Sequence, residues 1–103
     1  MLEIIPLTAL KDNYIWMLIN KINQCVAIVD PSEQEPVLEY VQSRNLNPIA
    51  ILITHHHWDH VGGITGLTKK YNIPVYTPEK EFVEGSTNPV SEGDIISLPE
   101  LDL

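Results

Sequence analysis

The sequence predicts an α/β chain in which strands alternate with helices that cross between parallel strands. Three observations lead there. Two five-residue runs, 25–29 (CVAIV) and 49–53 (IAILI), are apolar throughout, as strands buried on both faces are. Between and after them lie segments with apolar residues at helical spacing: Val37, Leu38 and Val41 in one, Val61, Ile64 and Leu67 in the other. Asp30 and a cluster of histidines directly follow the apolar runs, at the carboxyl ends of strands, where open sheets of this kind place their sites.

Taken in order, residues 2–7 are a short apolar run interrupted by Pro6 and read as a first or edge strand. Residues 13–19 (NYIWMLI), rich in aromatic and β-branched side chains, read as the second. A polar turn over 21–24 leads into CVAIV, and Asp30-Pro31 ends that third strand. Ser32 followed three residues later by Glu35 is a capping-box pattern. A helix is expected from there to about Asn45, with Pro36 in its first turn, where its missing N–H is not needed. Asn47-Pro48 reads as a breaker before the strand at 49–53. A second helix is expected from about His60 or Val61 to near Asn72, weakened by Gly62, Gly63 and Gly66. Residues 73–77 (IPVYT) read as a further strand, 79–84 as one helical turn, 86–94 as a loop and 95–98 as a final short strand. There is no internal repeat and no low-complexity segment.

Composition narrows the function classes. The chain has 103 residues, with 6 Lys and Arg against 14 Asp and Glu, and a formal net charge of −8. That length corresponds to about one small domain, near the lower end of what buries a good core unaided. A hydrophobic content of 44% argues against disorder of the whole. The acidic balance argues against nucleic acid as a partner, since binding it needs clustered Lys and Arg. Most of the excess falls in residues 79–103 and reads as a solvated surface. A single cysteine, Cys25, excludes an intramolecular disulfide and fits a reducing, cytoplasmic location; inside a buried strand it reads as core. No run approaches the roughly 18 apolar residues of a membrane span. The amino terminus has no basic segment of a secretory signal.

All four histidines, His55, His56, His57 and His60, fall within residues 54–60 (THHHWDH). One such histidine would be a polar loop residue. Four of them with Asp59, at the exit of a buried strand and just ahead of two glycines, point to a metal site. Imidazole and carboxylate together suit zinc, iron or manganese. His55 and His57, two positions apart in extended backbone, project to the same side and make a pair for one ion. Asp59 and His60, at the turn into the second helix, suit a second, adjacent ion. His56 and Trp58 then face away and read as packing or support. A helix starting near His60 or Val61 would aim its partial positive charge at the site, favouring an anionic substrate group or a hydroxide. Gly62-Gly63 would allow close backbone approach. Asp30 is either an outer partner that orients a ligating histidine or a turn former at the strand end. Two ions need about six or seven protein contacts, and this run supplies fewer, so the site is incomplete.

The H-x-H-x-D-H run after an apolar strand resembles the signature of the metallo-β-lactamase superfamily. Asp12-Asn13-Tyr14-Ile15-Trp16, Val29-Asp30-Pro31, the THHHWDH run with Val61-Gly62-Gly63, Pro74-Val75-Tyr76 and Gly93-Asp94 further resemble the glyoxalase II family, the hydroxyacylglutathione hydrolases, over essentially the whole chain. The resemblance implies a four-layer αββα fold of which this chain supplies the first sheet and its helices. It assigns His55 and His57 to one metal site and Asp59 and His60 to the other. It implies two divalent ions, with zinc ahead of iron or manganese. The implied reaction is hydrolysis of a small-molecule glutathione thioester, S-D-lactoylglutathione, to D-lactate and glutathione. Trp58 stands where many members carry another, non-ligating histidine. The family's remaining ligands are a histidine in a T-P-G-H-T-like segment, a bridging aspartate and a last histidine. They lie downstream of Leu103, as do the second sheet and the helical domain that helps hold glutathione. Residues 1–103 are therefore expected to be the N-terminal part of such a hydrolase. Alone they are expected to be inactive and to self-associate through a bare sheet face. The alternatives are another hydrolase of the superfamily (lactonase or lactamase), a persulfide dioxygenase, or a small metal-binding protein without catalysis.

Overall fold

The computed structural model describes residues 2–9, 13–54, 63–78, 86–91 and 98–101. They build a six-stranded sheet in sequential order: β1 (Leu2–Ala9), β2 (Asn13–Asn20), β3 (Cys25–Val29), β4 (Asn47–Leu52), β5 (Val75–Pro78) and β6 (Asn88–Val90). Strands β1 to β3 form an antiparallel meander, and β3 to β6 run parallel. Two helices, α1 (Gln34–Ser43) and α2 (Ile64–Lys70), lie in the β3–β4 and β4–β5 connections, and a 3-10 turn covers Pro99–Leu101. The alternation of strand and helix expected from the sequence is present.

Strand alternation sorts the side chains into two layers. On the helix side, Ile15, Met17, Ile19, Val26, Ile28, Ile51 and Val75 pack with Val37 and Val41 of α1 and with Ile64 and Leu67 of α2. On the other side, Cys25, Ala27 and Ala50 pack under Leu98 and Leu101. The CVAIV strand is therefore apolar at every position because both of its faces are covered.

That cover does not extend over β1 and the first half of β2. Ile4 is 57% exposed, Tyr14 52% and Trp16 42%. They share one face: Ile4 pairs with Leu18, Pro6 with Trp16 and Thr8 with Tyr14. The Tyr14 and Trp16 rings sit 5.9 Å apart on it. Pro6 is accommodated because β1 is an edge strand, where one missing donor is cheap.

Several boundaries differ from expectation. The capping box does not form: Glu33, extended at φ −137° and ψ 145°, is the residue before α1, and no side chain caps the helix. Ser32 instead lies buried, its hydroxyl without a hydrogen-bond partner among the described residues. The helix stops at Ser43 because Asn45 turns left-handed at φ 56°. Bonds from Asn45 N to Gln42 O (3.4 Å) and Leu46 N to Val41 O (3.0 Å) close its last turn. Asn47-Pro48 opens β4 rather than preceding it, and the register with β3 slips between Val26 and Ala27, an irregularity that tolerates proline. The expected loop at 86–94 contains β6, held to β5 by Thr87, whose hydroxyl accepts from Val75 N at 2.7 Å. Leu98, the described residue of the expected last strand, precedes the 3-10 turn and is in no strand. The turn expected at 79–84 lies outside the described residues.

Candidate metal centre

The carboxyl ends of β3 and β4 lie side by side, and Asp30 joins them. Its main-chain N–H donates to Leu52 O at 2.9 Å. Its carboxylate accepts twice from Thr54, two residues past the end of β4: Thr54 N to Oδ1 at 2.8 Å and Thr54 Oγ1 to Oδ2 at 2.6 Å. Asp30 is buried and left-handed, with φ 53°. That conformation is uncommon outside glycine, though aspartate and asparagine are enriched in it. It turns the chain out of β3 while keeping the side chain against β4. Asp30 turns the chain at the strand end, and its carboxylate also holds the residue immediately before His55.

A second tie follows at Pro31. Its carbonyl accepts from Gly63 N at 2.6 Å. Gly63 is the cap of α2, which starts at Ile64 and not at His60 or Val61 as expected. The Gly63 N–H is therefore spent on Pro31. The close approach that the glycine allows is to the backbone of residues 31–34, since a Cβ there would sit 2.7 Å from Pro31 O and 2.8 Å from the Glu33 carbonyl carbon. At Gly66 a Cβ would instead meet the end of the Gln34 side chain.

His55, His57, Asp59 and His60, with His56, Trp58, Val61 and Gly62, lie outside the described residues. Among the described residues no three His, Cys, Asp or Glu side chains come together as a metal site. The flanks are in place: residues 55–62 leave from Thr54 and return at Gly63, both tied to the neighbouring pair Asp30-Pro31 at the carboxyl edge of the parallel strands. A donor set of imidazoles and a carboxylate between fixed ends is what a divalent ion with N and O preference needs. Thr54 is the support that the sequence pattern does not single out, and Gly63 is marked there only as permitting close backbone approach. The cue available was a hydroxyl residue directly ahead of the first histidine and a glycine directly ahead of a helix.

The superfamily model for metallo-beta-lactamases matches residues 14–100. The chain belongs to the metallo-beta-lactamase superfamily. Curated relatives in this superfamily are named hydroxyacylglutathione hydrolase. One from Nitrosomonas eutropha is 48% identical over 103 residues, covering 100% of this chain and 40% of that protein. One from Pectobacterium carotovorum is 50% identical over 98 residues, covering 94% and 39%. The chain thus spans about two fifths of the length of these relatives. Among solved structures, the BLEG-1 B3 metallo-beta-lactamase is 32% identical with a TM-score of 0.66, covering 78% of this chain and 38% of that one. The di-iron-bound form of TTHA1623 is also 32% identical, with a TM-score of 0.61 over 70% and 36%. ETHE1 from Myxococcus xanthus shares the fold, with a TM-score of 0.77 at 19% identity over 92% and 43%. Both the superfamily and the glyoxalase II resemblance read from the sequence agree with these findings. So does the mixed α/β architecture.

Proposed function

We propose that this chain carries the first half of a two-metal hydrolase centre of the glyoxalase II type. Its substrate would be a small-molecule glutathione thioester, S-D-lactoylglutathione, cleaved to D-lactate and glutathione. What supports this most is the run of three histidines and an aspartate in ligand spacing at 55–60, between flanks that Asp30-Pro31 ties together, in a chain 48% identical to proteins named for that activity.

In this proposal His55 and His57 hold one ion, and Asp59 and His60 contribute to the other. The remaining ligands, the second sheet of the αββα sandwich and the glutathione-holding helical domain come from polypeptide beyond residue 103. Two divalent ions supply Lewis-acid chemistry, polarising the thioester carbonyl and making water acidic enough to be a nucleophile near neutral pH. Zinc is the first choice of ion, with iron or manganese as alternatives; a relative at 32% identity is described as di-iron-bound. The leaving group is a thiol, with an ordinary pKa of about 8.5, so it departs as thiolate without a dedicated acid. No serine or cysteine nucleophile is required. Cys25 is suited to none, being buried in β3 with its Sγ accepting from Asn47 Nδ2 at 3.9 Å. Asp30, through Thr54, orients the entry to the run. A reducing, cytoplasmic setting suits a glutathione thioester; among the described residues no helix is long and apolar enough to cross a membrane.

Lactam hydrolysis is the second reading, favoured by the 32% identity to a B3 metallo-beta-lactamase. Assaying the metal-loaded intact protein on lactoylglutathione, a lactone, a β-lactam and glutathione persulfide separates the members of the superfamily. Thioester turnover that disappears on chelation is the expected result. Turnover of one of the others alone would replace the proposal.

A further inference from the structure

We infer that Asp30-Pro31 is a clamp that fixes where the metal-ligating run enters and leaves, and that Gly63 is the positioning residue that closes it. The inference rests on the metal-centre reading above. One end of residues 55–62 is held by the two bonds from Thr54 to the Asp30 carboxylate, at 2.8 and 2.6 Å. The other is held by the Gly63 N–H on Pro31 O at 2.6 Å. The two anchor points are consecutive residues, so the clamp fixes the ends of the run relative to each other as well as to the sheet.

Gly63 is the vulnerable member. The atoms that a Cβ there would meet are all backbone: Pro31 O at 2.7 Å, the Glu33 carbonyl carbon at 2.8 Å and Gln34 N at 3.0 Å. Backbone cannot rotate away as a side chain can. Pro31 is fully buried, and Gln34 opens the helix whose Val37 and Val41 sit in the core. The residue that yields is therefore the one at position 63, and with it the exit of the run. Metal–ligand distances tolerate only about 0.2 Å of change, and clearing these contacts demands at least that much. Gly66 provides the contrast within the same helix: a Cβ there meets the far end of the Gln34 side chain, which can swing aside, and no backbone atom is among its near contacts.

The test measures metal affinity of the intact protein by competition between the metal-free form and a chromophoric zinc chelator, alongside thermal unfolding of the metal-free form. Gly63→Ala is expected to bind zinc at least tenfold more weakly than wild type, and Gly66→Ala within about twofold of it. A merely structural role for Gly63 would lower the metal-free melting temperature and leave the affinity of the folded protein unchanged, and that result overturns the inference. If Gly63→Ala does not fold, Thr54→Val decides. It removes the hydroxyl bond to Asp30 and keeps the main-chain one, and severalfold weaker zinc binding is expected; wild-type affinity would overturn the clamp. Wild-type protein that binds no zinc, iron or manganese would overturn the metal-centre reading and the clamp with it, whereas wild-type binding matched by both variants overturns the clamp alone.

Discussion

Replacing Asp30 separates the two demands that its position makes. The residue must accept two hydrogen bonds from Thr54 and must also sit at φ 53°. A bond to a charged acceptor contributes about 1.5–3 kcal/mol. Thr54 is exposed, so water recovers part of each bond and the lower end applies, about 3 kcal/mol for the two together. A left-handed backbone costs an ordinary side chain about 1–2 kcal/mol more than it costs glycine, and asparagine and aspartate bear less of it. Asp30→Ala therefore loses about 4 kcal/mol. Asp30→Asn keeps the shape, the left-handed tolerance, an oxygen for the Thr54 N–H and a donor for its hydroxyl. It loses only the charge, about 1 kcal/mol. Urea unfolding of the metal-free intact protein, followed by circular dichroism, measures both. The expected gap between the two variants is about 3 kcal/mol. Equal stabilities, or an alanine variant within about 1 kcal/mol of wild type, would refute the role given to the carboxylate.

Other consequences follow from the same structure. His55→Ala and Asp59→Ala in the intact protein should each lower the metal-to-protein ratio and the thioesterase rate by orders of magnitude, with His56→Ala doing much less; elemental analysis beside a lactoylglutathione assay checks this. Equal damage from His56→Ala would contradict the alternation argument at the strand exit. Ile51→Ala, at a side chain with no exposure in the centre of the sheet, should cost about 2–5 kcal/mol in urea unfolding. Residues 1–103 prepared alone should lack thioesterase activity and self-associate through the stripe of Ile4, Tyr14 and Trp16, and Ile4→Lys with Trp16→Lys should shift them toward monomer in sedimentation velocity. A monodisperse wild-type preparation would count against the stripe as the cause.

The features legible in the sequence are those decided locally. CVAIV matches β3 residue for residue because both of its faces are covered and it lies between a polar turn and Asp30-Pro31. Of the expected apolar stripes, Val37, Val41, Ile64 and Leu67 are buried and Leu38 is half-buried, while Val61 lies outside the described residues. What escaped was decided at a distance. Ser32 satisfies the capping pattern, yet the chain is extended at Glu33, so the cap position passes to that residue and the serine is buried instead. Asn88-Pro89-Val90 looks like loop, being short, proline-containing and exposed; it becomes a strand because parallel β5 is beside it. The same holds at the site. The donor types are visible in THHHWDH, but the tie from Thr54 to Asp30 spans 24 positions, and no local pattern announces it. Gly63 was legible as a residue permitting close approach; the partner of that approach, the backbone of residues 31–34, was not.

If residues 55–60 supply ligands to a two-metal thioesterase, hydrolysis follows metal occupancy. The most direct measurement is the rate of lactoylglutathione hydrolysis by the intact protein as metal is removed with a chelator and then restored, with bound metal counted at each step. Activity is expected to rise with metal content to a plateau at two ions per chain, and the His57→Ala, His60→Ala double variant is expected to stay inactive at any metal concentration. Full hydrolysis by metal-free protein, or by that double variant, would contradict that role for residues 55–60.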